Sequence, residues 1–340
     1  MAFVAADAPA DVRVDATIPA DDATAIGATV ASDIPAVERE FAREFGHPPV
    51  IYVFGTTEAY AEGFARIFGY PAATAAFVAE NSVSFFEPST RVIAVNWAAV
   101  GGRRPVAAIR HELTHLLTLD ACAPRCDLVP AWLNEGQARL AEARVPGSDW
   151  RLLRLRYESA AMAETGTLIP LNTLVSQLSW NALVDWAGYF KYQEAARAVE
   201  LLREDIGGDT PIARLYERLR AGSNLAQAYA ALTGRSFNEF VDGLSARMRA
   251  AVPDRAGLVP VAPQSYLLYG FAPGSTITLT VSGPRGSETW PVVVSPFGSS
   301  FDGIPPSRAR GGYTVTAQTD LGVFSAKVRK QSEGSPDDRR

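Results

Sequence analysis

The 340-residue sequence predicts an α+β protein, and three changes of pattern along the chain carry that prediction. Strand-like and helix-like segments alternate up to about residue 104, and the pattern is helical almost throughout from 105 to 250. After a Pro-punctuated stretch at 253, short alternating strands take over. A small N-terminal sheet, a helical region and a small β-sandwich are expected in that order.

Residues 1 to about 32 are acidic and rich in Ala, Asp and Pro, and DVRVDAT within them alternates like a strand. A helix is expected from Asp33, with Pro35 in its first turn and Gly46 as its stop. Ile34, Val37, Phe41 and Phe45 form its apolar stripe. PVIYVFG (49–55) reads as a buried strand, TTEAYAEGFARIFG (56–69) as a helix and STRVIAVNW (89–97) as a second strand. Helices are expected at 105–119, 130–144, 149–164, 170–178, 185–206, 210–220, 224–232 and 236–250. PDRAGLVPVAPQ reads as a linker, followed by the strands SYLLYG, STITLTVSG, TWPVVVS, GGYTVTAQT and GVFSAKVRK and a frayed tail, SEGSPDDRR. The expected domains are 1–252, with an α/β lobe to 104 and a helical part from 105, then a sandwich at 253–331 and the tail at 332–340.

A 47% hydrophobic, 20% charged composition excludes a fibrous or wholly disordered chain. The net charge of -5 argues against a nucleic-acid partner, which would need a basic stripe. No apolar run approaches the roughly 20 residues that span a bilayer. The N-terminus lacks a basic region followed by an apolar one, so no intact signal peptide is expected. A secreted or surface protein whose leader has been removed fits this, and so does a cytoplasmic one. Cys122 and Cys126 could bridge in an oxidising compartment or remain two thiols; the even count favours the bridge.

The chemistry concentrates in Arg110-His111-Glu112-Leu113-Thr114-His115-Leu116-Leu117. On a helix, positions i and i+4 share a face, so both imidazoles can reach one metal ion. Glu112 is offset by about 100°, suited to address a water at that ion rather than to ligate it. Leu113, Leu116 and Leu117 supply an apolar side that buries the helix. The motif holds two of the three histidines; His47, before Pro48-Pro49, reads as a surface-loop residue. A hydrolytic zinc site needs a third protein ligand. HExxHxxGxxH is absent, because Thr118 and Ala121 occupy its Gly and last His positions.

Glu135, within PAWLNEGQA and 20 positions after His115, completes a pattern that resembles the gluzincins, which include thermolysin and the zinc aminopeptidases. The layout HELTH…P-x-WLxEG-x-A, with a later Tyr-led helix, is similar to the bacterial peptidase-MA-like proteins from about 90 to 206. This resemblance implies a zincin-type lobe, zinc held by His111, His115 and Glu135, and Glu112 as the base in hydrolysis of a peptide or protein substrate. The upstream GxMEN motif of the aminopeptidases is missing, which favours internal cleavage. YQEAARAVELLREDIGG matches the family helix and makes Tyr192 the implied oxyanion donor, with Tyr189 a turn earlier as second choice. Packing of an aromatic helix face is the other reading of both.

Two further features bear on the resemblance. In thermolysin-like enzymes an acidic residue four positions after the Glu ligand orients a metal-binding His; here Arg139 stands there. Glu142, Asp185 or a backbone carbonyl must replace it. In gluzincins an edge strand upstream of the zinc helix pairs with extended substrate, and STRVIAVN occupies that place. GFAPGSTITLTVSGPRG, the Asp302-Gly303 turn and GGYTVTA resemble immunoglobulin-like modules of bacterial surface proteins. The main expectation is thus a zinc endopeptidase. An inactive zincin-like adhesion protein that binds through its sandwich and a non-peptidase zinc hydrolase are the alternatives.

Overall fold

A computed structural model of the chain describes residues 3–5, 9–101, 107–207, 211–262, 265–284, 286–303, 313–319 and 321–328. In chain order it contains β1 (Phe3–Ala5), β2 (Asp11–Asp15), α1 (Ala20–Phe41), β3 (Val50–Phe54), α2 (Thr57–Ile67) and α3 (Ala72–Asn81). Next come β4 (Ser84–Glu87), β5 (Val92–Asn96), α4 (Ala107–Cys122), α5 (Ala131–Ala143), α6 (Asp149–Thr165) and α7 (Gln177–Asn181). α8 (Asp185–Ile206), α9 (Pro211–Arg220), α10 (Leu225–Thr233) and α11 (Phe237–Arg249) complete the helices. The last strands are β6 (Gly257–Ala262), β7 (Ser265–Tyr269), β8 (Thr276–Gly283), β9 (Gly286–Val293), β10 (Ser299–Gly303), β11 (Tyr313–Thr319) and β12 (Gly322–Val328). This is the predicted α+β class: an N-terminal mixed sheet, a helical middle and C-terminal antiparallel sheets. The predicted tail lies outside the described residues.

The chain forms two compact units interleaved in sequence. One comprises Met1–Pro130, Gln137–Val145 and Arg203–Phe237; the other comprises Ala131–Gly136, Pro146–Leu202 and Asn238–Arg340. In the first, the sheet order is β1-β2-β3-β5-β4, with β3 parallel to β2 and β5 and β4 antiparallel to β5. Internal β5, VIAVN, is buried at every residue, as a strand covered on both faces must be. α4 packs against α1, α9, β4 and β5.

α1 begins well before the predicted start at Asp33. Pro19 precedes it, and Asp21 and Asp22 in its first turn suit the positive end of the helix dipole. The acidic run therefore opens the helix, and Asp33 lies inside it, buried, rather than capping it. Arg110 donates to Asp33 Oδ1 through Nε at 2.8 Å and Nη2 at 2.5 Å. Burial pushes the Asp33 carboxyl up to about 6 against the pull of that guanidinium, leaving it ionised at neutral pH.

Within the second unit the C-terminal sheets, β10-β7-β6 and β12-β11-β8-β9, share a core of Tyr266, Leu268, Leu279, Val281, Val315 and Ala317. β7 is buried on both faces, since successive side chains point opposite ways. Tyr266 and Leu268 enter the sandwich core, whereas Leu267 and Tyr269 pack with Val261 against Ala161 of α6. Part of the predicted linker is β6, an edge strand that tolerates Pro260 with an irregularity between Pro260 and Ala262. The helix expected at 170–178 is instead a 3-10 turn, Leu171–Thr173, followed by short α7.

Two predictions follow from buried charge. Asp33→Ala leaves Arg110 buried without its counter-ion, and a loss of about 3–5 kcal/mol is expected in urea unfolding. Glu194, buried on α8, accepts the Ile169 N–H at 2.7 Å. Burial pushes its carboxyl up to about 8 against that hydrogen bond, whereas an unfolded carboxyl titrates near 4.5. The folded state then keeps a proton that the unfolded chain releases. The resulting stabilisation is full below about pH 4.5 and is lost as pH rises through about 8. Glu194→Gln should match wild type in melts at about pH 4.5 and exceed it above about pH 8.

Candidate metal centre

α4 is buried through Leu113, Leu116 and Leu117 and turns His111 and His115 to one side. Their Nε2 atoms stand 3.1 Å apart, and the rings meet edge-on with centroids 4.8 Å apart. Glu112 is buried, and its Oε1 accepts a 2.6 Å hydrogen bond from Ser84 Oγ, at the start of β4. Nothing in SVSFFE marks Ser84, because the pairing depends on β4 meeting α4 across 28 positions of chain.

Glu135 sits in the second turn of α5. The N–H groups of Ala131 and Trp132, which lack partners inside the helix, donate to the carbonyls of Val175 and Leu174. Gly136 has a steric reason: a Cβ there would stand 2.5 Å from the Ala195 carbonyl oxygen, so only glycine lets α8 approach this closely. Gln177 of α7 donates to Glu135 Oε1 at 3.3 Å, another contact that no motif announces.

One ligand atom each from His111, His115 and Glu135 lie within 4.8 Å of one another. Two imidazole nitrogens converging beside a carboxylate oxygen suit a hydrolytic zinc ion, and the group could hold a metal. His47 is exposed in its loop, as the sequence suggests.

The acidic partner displaced by Arg139 is supplied one turn later by Glu142. Its Oε2 lies 3.6 Å from His111 Nδ1, and Arg139 Nη1 is 2.7 Å from the same oxygen. Burial opposes ionisation of Glu142, but Arg139 and His111 outweigh it and hold the carboxyl below the usual range. Arg139 is thus the counter-ion of the carboxylate that replaces the expected one. Glu135 and Glu142 are two turns apart on one helix face, and α5 presents both toward α4. Asp185, at the start of α8, is exposed.

The edge-strand expectation is corrected. STRVIAVN contains β5, which lies between β3 and β4, so among the described residues the edges of the sheet are β4 and β1. β4 has only four residues, SFFE, too few for a period-two pattern to show in the sequence. Tyr189 donates to Glu158 at 2.8 Å under the Arg154 guanidinium, and Tyr192 meets Trp180 edge-on at 4.9 Å. Lys191 between them is buried and donates to the carbonyls of Trp180 at 2.6 Å and Leu183 at 3.0 Å. Cys122 and Cys126 form the disulfide that the even count favoured. Among the described residues no helix is long and apolar enough to cross a membrane.

A mixed sheet and helices that bring an HExxH helix to a glutamate of the following helix define a metal-dependent hydrolase scaffold. A model of the Peptidase MA superfamily matches residues 44–253, more than half of the chain, and the protein belongs to that superfamily of metallopeptidases. No curated protein matches the chain.

If the His111–His115–Glu135 group holds a metal, Glu142→Ala should weaken its binding about 10- to 100-fold, as loss of a histidine's orienting partner generally does. Chelator competition followed by metal analysis checks this, with circular dichroism reporting an intact fold.

Proposed function

We propose that the protein is a zinc-dependent endopeptidase, with residues 1–252 as the peptidase domain and 253–331 as an immunoglobulin-like sandwich. The convergence of His111, His115 and Glu135 around one point, with Glu112 on the same helix, carries this reading. His111, His115 and Glu135 would hold the ion. When bound, zinc supplies a Lewis acid that polarises a scissile carbonyl and acidifies a water.

The protein's own groups do the rest. Glu112 takes a proton from the attacking water and delivers it to the leaving amine as the C–N bond breaks, so hydroxyl and proton end on separate products. Ser84 donates to Oε1 of Glu112, which fixes the carboxylate and assigns the transferred proton to Oε2. Glu142 orients His111 through Nδ1. Tyr192 is assigned the developing oxyanion on the family resemblance; the Tyr189 hydroxyl is already given to Glu158. The substrate is a peptide or protein, and the disulfide supports a secreted or surface location.

Glu112→Gln is expected to retain about one zinc per chain, as a mononuclear site requires, with the fold intact. Hydrolysis of a diverse peptide mixture should fall by at least about 100-fold, the usual scale for loss of a general base. Turnover at the wild-type rate in that variant would sink the mechanism.

A further inference from the structure

Two of the sandwich's aromatic contacts reach toward α8, directly or through Arg154 of α6. Phe297, in the turn between β9 and β10, stacks on Phe190 of α8 with centroids 4.7 Å apart. That turn is held close: Gly298 has a φ of +77°, and a Cβ on it would come within 2.5 Å of the Thr165 side chain of α6. Phe301 of β10 lies 3.8 Å below the Arg154 guanidinium of α6. Arg154 in turn covers the Tyr189 ring at 5.2 Å and donates to Glu158 at 2.9 Å, and Glu158 accepts the Tyr189 hydroxyl. Both contacts bear on the first two turns of α8.

Those turns hold Lys191, whose ammonium pins the end of α7 through the carbonyls of Trp180 and Leu183. α7 carries Gln177, the donor to Glu135 Oε1. A buried cation on carbonyls at a helix end is a rigid joint, because neither side can be left unpaired without cost.

We propose that the sandwich is a positioning element of the metal centre, with Phe297 and Phe301 as its positioning residues. They hold α8, α8 holds α7 through Lys191, and α7 sets the Glu135 carboxylate through Gln177. The proposal rests on Glu135 being a metal ligand but not on the bond that is hydrolysed.

The test uses the full chain with zinc as the probe. Phe297→Ala should weaken zinc retention against a chelator about tenfold, at the lower end for a group acting through a ligand's support. It should also lower kcat on the peptide mixture more than it raises KM. Phe297→Tyr, which keeps the stacked ring, should restore both. Val293→Ala, on the exposed face of β9, should alter neither. Zinc retention and kcat within twofold of wild type in Phe297→Ala and in Phe301→Ala, whatever their melting temperatures, would overturn the proposal. Weakened zinc retention in a protein that cleaves no peptide would support the positioning role and remove the peptidase reading. A wild-type chain that binds no zinc overturns both.

Discussion

The Arg110–Asp33 pair is the joint on which the geometry of the candidate metal site depends. Arg110 immediately precedes His111 in α4, and its guanidinium is nine-tenths or more buried with Asp33 of α1. The same side chain donates to the carbonyl of Arg144, just past the end of α5, at 3.0 Å. One residue therefore fixes the rotation of α4 against α1 and the axial position of α5 against α4. Ions withdrawn from water are tolerated only when paired in good geometry, so the joint admits little slippage. Because α5 is a continuous helix, placing its C-terminal end also places Glu142 beside His111 and Glu135 two turns away.

Arg139 acquires its meaning in that setting. Moving the orienting carboxylate from the fourth to the seventh position after the metal-group glutamate keeps it on the same face of α5, since seven residues complete nearly two turns. The carboxylate would be costly to ionise where it is largely withdrawn from water. A cation one turn back on the same helix offsets that cost and holds the carboxylate in place. The arginine and the glutamate thus act as a coupled pair.

The two sheets at the C-terminus are bound into the second unit by ordinary hydrophobic and aromatic packing. β7 serves the sandwich core with one face and α6 with the other, so removing the sandwich would uncover Ala161 and Tyr157. The pairing of Tyr157 with Tyr269 at 4.6 Å adds an edge-to-face contact to that seam. A sandwich attached only by a flexible linker would leave Ala161 and Tyr157 of α6 facing water; here β7 covers them.

Local pattern alone determined the class, most of the helices and the HExxH group. Helical periodicity, caps and the i,i+4 spacing of His111 and His115 are properties of short windows. Elements whose signals conflict or are too short needed the fold. α1 runs through Asp33 and Pro35 because Arg110, 77 positions away, takes the carboxylate that would otherwise cap a helix. β4 exists because β5 offers it an edge, and β6 keeps Pro260 because it lies at one. Ser84, Gln177 and the pairing of Glu142 with His111 and Arg139 were likewise decided by tertiary structure. Each joins side chains whose approach is set by how helices and strands pack, and no spacing within a single element encodes that distance.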